Sequence, residues 1–207
     1  MENWQILAAS KAITIYSSES KHPANPLHEY NPHRGIVNCA VFNHTSTHST
    51  LNVDKVVASC GQDSKISLFS ASSPKDKLAE IVYYSLSEEP SSVNSCLFSH
   101  KSKFIAAGSV NGTVKIWDMK NIKEREPMKK LKGHVGAVTS LAWVGQEEII
   151  ASSSTCGDVY LHDVATGAIR ETLSSKMQEG INNIRVSEGE AFKRLAACTN
   201  SGSVLYL

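Results

Sequence analysis

The stretch Gly108-Ser-Val-Asn-Gly-Thr-Val-Lys-Ile-Trp-Asp118 decides how the rest of the chain is read. Its Asn111-Gly112 pair predicts a two-residue hairpin, since both central positions of such a turn need φ > 0. The alternation after it predicts a strand. The pattern then recurs. Ser153-Ser-Thr-Cys-Gly-Asp-Val-Tyr-Leu-His-Asp163 matches it downstream, and Ala197-Cys-Thr-Asn-Ser-Gly-Ser-Val-Leu-Tyr-Leu207 matches again. Gly112, Gly157 and Gly202 follow one another at intervals of 45 residues. Upstream, Ser59-Cys-Gly-Gln-Asp-Ser-Lys-Ile-Ser-Leu-Phe69 is a further copy, and Ala9-Ser-Lys-Ala-Ile-Thr-Ile-Tyr16 a weaker one. Such self-similarity predicts a repeat architecture, each unit burying its apolar face on the next.

A period of about 45 residues, a hairpin glycine, alternating apolar positions and a terminal Trp-Asp resemble the blade of WD40-repeat proteins. That resemblance implies an all-β fold, an incomplete WD40-type β-propeller of about four and a half blades, each a four-stranded antiparallel sheet. Residues 1–207 are expected to form this partial propeller, with blades near 1–33, 34–90, 91–134, 135–178 and 179–207. Small residues recur at one position of each unit: Ala8/Ala9, Ala58/Ser59, Ala106/Ala107, Ala151/Ser152 and Ala196/Ala197. Sheets packing face to face need that smallness, because bulk there would clash.

In order, the strands are expected at Ile6–Ser10, Ala12–Tyr16 and near Leu27–Tyr30, with a loop rich in proline (Pro23, Pro26 and Pro32) around the third. The second unit has Ile36–Phe42, Val56–Cys60, Lys65–Phe69 and Leu78–Tyr84, with a surface insert at Asn43–Thr50. The third has Val93–Phe98, Phe104–Gly108, Thr113–Trp117 and Met128–Leu131. The fourth has Val138–Trp143, Ile149–Ser153, Val159–His162 and Ile169–Leu173. The fifth has Ile181–Val186, Leu195–Cys198 and Ser203–Leu207. The first unit lacks an innermost strand and the fifth an outermost one. Chain termini that meet to complete one blade are common in propellers.

Composition narrows the function classes. Hydrophobic residues make up 41% and charged residues 20%, as in a soluble globular domain. A net charge of +1 gives no bulk field for nucleic acid or an acidic membrane. No apolar run approaches the roughly 18 residues of a membrane span, and Met1-Glu-Asn-Trp-Gln-Ile has no signal-peptide character. Cys39, Cys60, Cys96, Cys156 and Cys198 contain no C-x-x-C pair, and reduced, mostly buried thiols in a cytosolic or nuclear compartment are expected.

No catalytic constellation assembles from the sequence. Nucleophile-elbow, zincin, P-loop and dinucleotide fingerprints are missing from the sequence. His44 and His48 lie in a Ser/Thr-rich insert, where four-residue spacing does not bring ligands together. Glu88-Glu89 and Glu147-Glu148 sit in expected turns, and His162 takes the place of a blade Trp as a half-buried packing residue. No catalytic residue, cofactor or metal ligand is assigned. Partners are expected to be proteins, with no nucleic acid, membrane or small-molecule substrate. Two features suit protein binding. The basic run from Lys120 to Lys132, including Lys129 and Lys130, lies on an outermost strand, where it is either a solvated edge that blocks strand pairing or a patch for an acidic partner. The rim turns carry His33, Arg34, Asp63, Glu88-Glu89, Asn111 and Lys132.

Beyond the general repeat, the chain resembles the GCP-WD family, WD-repeat adaptors of the γ-tubulin ring complex. The shared segments are Tyr30-Asn-Pro-His33, Val37-Asn38 with Asn43-His-Thr45, Val57-Ala-Ser59 through Lys65-Ile-Ser-Leu68, and Ile116-Trp-Asp118. They continue with Lys129-Lys-Leu-Lys-Gly-His134, Tyr160-Leu-His-Asp163 and Ala165-Thr-Gly-Ala168. The resemblance implies a scaffold that brings γ-tubulin complexes to centrosome or spindle microtubules in mitosis, in the cytoplasm and cytoskeleton. It also implies about seven blades and a helical C-terminal region carrying the γ-tubulin contact, so that a fragment or truncated product without these parts is expected. In WD40 blades the Gly-His histidine bonds an Asp in the hairpin of its own blade. Here His134 is expected to face Cys156, while only Asp63 keeps the acid. Apolar packing must therefore carry more of the fold.

Overall fold

The computed structural model describes residues 4–17, 26–43, 55–71, 77–83, 88–124, 126–145, 147–174, 179–187 and 194–206. Five antiparallel sheets follow one another along the chain. The first joins β1 (Trp4–Ala9), β2 (Ala12–Ser17) and β3 (His28–Tyr30). The second runs β4 (Val37–Phe42), β5 (Val56–Gly61), β6 (Lys65–Ser70) and β7 (Lys77–Val82). The third runs β8 (Val93–Phe98), β9 (Phe104–Ser109), β10 (Val114–Asp118) and β11 (Lys129–Leu131). The fourth runs β12 (Val138–Val144), β13 (Ile149–Ser154), β14 (Asp158–Asp163) and β15 (Ile169–Ser174). The fifth has β16 (Ile181–Val186), β17 (Leu195–Thr199) and β18 (Val204–Tyr206). Strand order within each sheet is sequential, and each four-stranded sheet is a meander. This is the all-β, incomplete propeller anticipated from the repeat. The insert with His44 and His48 lies outside the described residues.

Successive sheets touch through their innermost strands, β4 against β8, β8 against β12, and β12 against β16. Core packing is therefore distributed between sheets. Ile13, Ile15 and Tyr30 of the first sheet pack with Val57 and Phe69 of the second. Ile66, Leu68 and Ile81 of the second pack with Cys96, Phe98 and Trp117 of the third. Ala106, Val114 and Ile116 of the third pack with Val138, Leu141 and Trp143 of the fourth. Ala142, Ala151 and Val159 of the fourth meet Ile181, Ile184 and Ala197 of the fifth. The second strand of each inner sheet is buried on both faces, which explains its small residues: Ala58, Ser59, Ala106, Ala107, Ala151 and Ser152 expose nothing. Leu7 on the first sheet and Val204 and Tyr206 on the fifth are exposed apolar residues.

A bulge at the start of each innermost strand adds a polar lock. Pairing shifts register at Val37/Cys39, Val93/Ser95, Val138/Ser140 and Ile181/Asn183. The bulged Asn38 donates its side-chain amide to the Val93 carbonyl at 2.9 Å, and Asn94 does the same to Val138 at 3.0 Å. Ser140 continues the series to Asn183 of the next sheet at 3.0 Å. The Asn38 and Asn94 bonds tie one sheet to its neighbour where a bulged residue frees a side chain for other work, whereas Ser140 and Asn183 do so from paired positions.

Two expectations need correction. The Asn111-Gly112 hairpin is not a two-residue turn, because Gly112 has φ 79 while Asn111 is absent from the residues with positive φ. The Gly112 N–H donates to the Ser109 carbonyl, and the same bond recurs from Gly157 to Ser154 and from Gly202 to Thr199, each 3.2 Å. That is a three-residue loop, a turn closed by one left-handed residue, which needs glycine at one position only. The basic run is also not one edge strand. Lys120 and Lys123 lie on a kinked 3-10 segment, Met119–Glu124, and only Lys129 and Lys130 are on β11.

Candidate protein-interaction surface

The hairpin loops after β5, β9, β13 and β17 and the loops entering β4, β8, β12 and β16 interleave on one rim. In four sheets the same backbone bond joins them: Gln62 N–H to Ile36 O, Val110 to Ser92, Thr155 to Ala137 and Asn200 to Gly180, between 2.9 and 3.0 Å. The rim is thus a repeated and rigid frame. What differs from sheet to sheet is the side chain it carries.

On the second sheet the frame holds an intact polar set. His33 Nδ1 lies 2.8 Å from Asp63 Oδ1, and His33 Nε2 lies 2.8 Å from the Ser59 hydroxyl. The other Asp63 oxygen accepts the Arg34 N–H at 3.0 Å. His33 is 0% exposed in its side chain and Asp63 10%, so both are occupied in holding the turn and Arg34 is the member that faces solvent. On the third sheet Asn111 caps its own loop, accepting the Thr113 N–H at 3.1 Å, and is exposed. Lys132 is exposed just before the fourth sheet, beside that loop. Lys129 and Lys130 lie at the outer edge of the third sheet and do not join the rim set.

On the fourth sheet the set is broken as expected, because no acid stands opposite the histidine. His134 Nε2 lies 2.7 Å from Ser152 Oγ, while Nδ1 has no hydrogen-bond partner. The ring is instead stacked on Tyr160, with centroids 4.4 Å apart. Tyr160 in turn meets His162 edge-on at 6.0 Å. His162 is 1% exposed, more deeply buried than its expected half-buried role. Neither of its ring nitrogens is bonded at good geometry. Desolvation lowers both histidines, His134 to about 4 with His162 adding to the effect.

The sign of the resulting pH dependence follows. An unfolded His134 takes up its proton near the ordinary value of 6.5, whereas the folded one resists until about pH 4. Folding is therefore fully supported above the unfolded value, and support is lost as pH falls through that window, by up to about 3 kcal/mol. The melting temperature is expected to drop between pH 7 and pH 4.5, and the drop is expected to shrink in His134→Gln. Equal drops in both proteins would contradict this role.

The sequence reading missed a charged cluster. Lys115, on the central strand β10, is 1% exposed, and its ammonium donates to the Tyr83 carbonyl and to Glu88. It also sits 4.6 Å from the centre of the Tyr83 ring. The other Glu88 oxygen accepts from Lys130 at 3.1 Å. The signal was available in Val114-Lys-Ile116, since a lysine in a strand buried on both faces requires a counter-charge.

A cavity of about 420 Å³ lies where the innermost strands converge, lined by Asn38, Cys39, Asn94, Cys96, Thr139 and Arg185 among others. Among the described residues, no group of His, Cys, Asp or Glu has the arrangement to hold a metal ion. No described helix is long and apolar enough to cross a membrane. The five cysteines are free thiols, but only Cys60 and Cys96 are buried; Cys39 is half-buried at the cavity, and Cys156, in a hairpin loop, and Cys198, on the fifth sheet, are exposed, which corrects the expectation of mostly buried thiols.

A repeated frame with variable side chains on its rim defines a β-propeller segment of the kind that displays surface. Comparison with known proteins gives the family. The chain belongs to the WD-repeat family: the profile described as "WD domain, G-beta repeat" matches residues 24–70, 82–118 and 125–163. It is 24% identical to human (Homo sapiens) Protein NEDD1 over 186 residues, which cover 90% of this chain and 26% of that protein. It is 27% identical to the Anaphase-promoting complex subunit cdc20 of Dictyostelium discoideum, over 46% of this chain and 18% of that one. It is also 27% identical to the Target of rapamycin complex subunit wat1 of Schizosaccharomyces pombe, over 72% of this chain and 44% of that one. The chain thus spans about a quarter of the length of NEDD1 and less than half of the other two. Among solved structures it resembles a chain of a mitotic checkpoint complex, with TM-score 0.77 and 16% identity, over 99% of this chain and 61% of that one. That likeness concerns the fold.

Proposed function

We propose that the chain is a non-enzymatic WD-repeat adaptor that helps bring γ-tubulin ring complexes to centrosome or spindle microtubules, acting in the cytoplasm and cytoskeleton during mitotic microtubule nucleation. The observation that carries this reading is the colinear similarity to NEDD1 across 90% of the chain, together with the GCP-WD segments of the sequence. The surface offered to partners is the rim around Arg34, Asn111 and Lys132 and the outer edge at Lys129 and Lys130. His33 and Asp63 support Arg34 from below. The blades are taken as residues 1–33, 34–90, 91–134, 135–178 and 179–207, units of one partial propeller.

A second reading, an adaptor in another multiprotein assembly, draws on the similarities to cdc20 and wat1. Imaging and affinity capture of the tagged full chain in mitotic cells separate the two. Placement on centrosomes or spindle microtubules, reduced several-fold in the Arg34→Glu, Lys132→Glu double variant, supports the first. Absence from both, with recovery of an unrelated complex, overturns it.

A further inference from the structure

Three cysteines distant in sequence converge where the second and third sheets meet the central cavity. Cys39 on β4 is paired in register with Cys60 on β5. Cys96 comes from β8 of the next sheet, and its carbonyl oxygen lies 3.5 Å from the Cys39 sulfur, accepting from the thiol while that carries its proton. Cys60 and Cys96 are 0% and 1% exposed, whereas Cys39 is half-buried and lines the cavity. The environment of Cys39 differs from that of an ordinary core thiol. Cys60 stands opposite it across the β4–β5 pair, Cys96 packs in the same core cluster, and Arg185 from the fifth sheet faces the same cavity. The neighbouring Cys60 and then Cys96, with a smaller contribution from Arg185, outweigh burial and hold Cys39 well below the usual thiol value. Burial pushes Cys60 up, and the neighbouring Cys39 does the same to Cys96. One accessible sulfur thus favours the thiolate, with two thiols beside it that stay protonated.

We propose that Cys39 is a peroxide-sensitive site on the wall of the central cavity, oxidised first and then joined to Cys60 or Cys96 as a disulfide. In the first step the Cys39 thiolate attacks hydrogen peroxide. A sulfur–oxygen bond forms, the peroxide bond breaks, and hydroxide leaves and takes up a proton. Sulfur loses two electrons, which reduce the peroxide, and a sulfenic acid remains. In the second step a neighbouring sulfur attacks that of Cys39. The sulfur–sulfur bond forms, the sulfur–oxygen bond breaks, and the oxygen departs as water with the proton of the attacking thiol. Cys60 stands directly opposite Cys39 across the β4–β5 pair, and the Cys96 backbone lies against the Cys39 sulfur, so both candidates belong to residues in contact with it.

Exposed Cys156 and Cys198 serve as internal controls. The native full chain is treated with a slight excess of hydrogen peroxide, alkylated under denaturing conditions and mapped by peptide mass. The expected product is a disulfide from Cys39 to Cys60 or Cys96 while Cys156 and Cys198 are recovered alkylated. Cys39→Ser is expected to abolish it, and the Cys60→Ser, Cys96→Ser double variant to stop at a sulfenic acid trapped by dimedone. Untreated wild-type protein supplies a test free of substitutions: iodoacetamide should label Cys39 at least about fivefold faster than Cys156, despite its lower exposure. Oxidation of Cys156 or Cys198 ahead of Cys39, or alkylation in order of exposure, would overturn the proposal.

Discussion

Glu88→Ala is expected to lower the stability of the chain by about 2–3 kcal/mol, the cost of leaving a buried ammonium without its carboxylate. A fully buried pair broken on one side loses roughly 3–5 kcal/mol. Glu88 is 30% exposed, so water replaces part of what it supplies and the expected loss is smaller. The burden falls on Lys115 because its side chain is 2% exposed and has only the Tyr83 carbonyl and ring to turn to. Two companion variants isolate the cause. Lys130→Ala is expected to cost less than about 1 kcal/mol, since that lysine is 38% exposed and solvates itself. Lys115→Met removes the charge but keeps the stem, and is expected to cost less than Glu88→Ala. Urea denaturation of the three variants gives the ranking. Equal losses for Glu88→Ala and Lys130→Ala would show that the buried ammonium is not what Glu88 neutralises.

The second large effect concerns the glycines that first revealed the repeat. Gly112 and Gly157 are left-handed, at φ 79 and 90, and each is pressed against the backbone entering the next sheet. A Cβ on Gly112 would stand 2.3 Å from the His134 carbonyl oxygen, and one on Gly157 would stand 2.6 Å from that of Glu179. Gly202 has the same backbone conformation, φ 87, with nothing within 4 Å of such a Cβ. The three positions thus share one conformational cost and differ in the clash. Gly202→Ala is expected to cost about 1–2 kcal/mol, the left-handed term alone. Gly112→Ala and Gly157→Ala are expected to cost about 3 kcal/mol or more, because a backbone carbonyl cannot rotate away as a side chain would. Thermal melts of the three variants decide the matter. Equal shifts at all three positions would mean that the hairpin tips do not seat against the following sheet.

The contrast between these two predictions mirrors what the residues reveal on their own. Gly112, Gly157 and Gly202 could be found from spacing because each sits in a local hairpin, and local patterns with period two carry the strands. Even there the turn type escaped, since Asn111-Gly112 suits a two-residue loop as well as the longer one that forms. Glu88 and Lys115 are joined across a sheet layer, and nothing in local alternation says which carboxylate a buried lysine will meet. Cys39, Cys60 and Cys96 likewise meet only after two sheets pack. The bulged Asn38 and Asn94 each follow a valine in the sequence, but their role as locks depends on the following sheet and escaped the reading of the residues alone. His134 lies between these cases. Its missing acid was plain from Cys156, whereas its stacking on Tyr160 and bond to Ser152 required the fold.

Consecutive sheets are arranged around an axis, so that equivalent rim positions advance along an arc. Pulsed spin-label distances among residues 111, 156 and 201, equivalent positions of three successive hairpins, test this directly when the labels are attached without using cysteine. Equal distances for 111–156 and 156–201, with a 111–201 distance clearly shorter than their sum, are the predicted result. A 111–201 distance equal to that sum, or two unequal steps, would describe a straight or irregular stack and contradict the propeller.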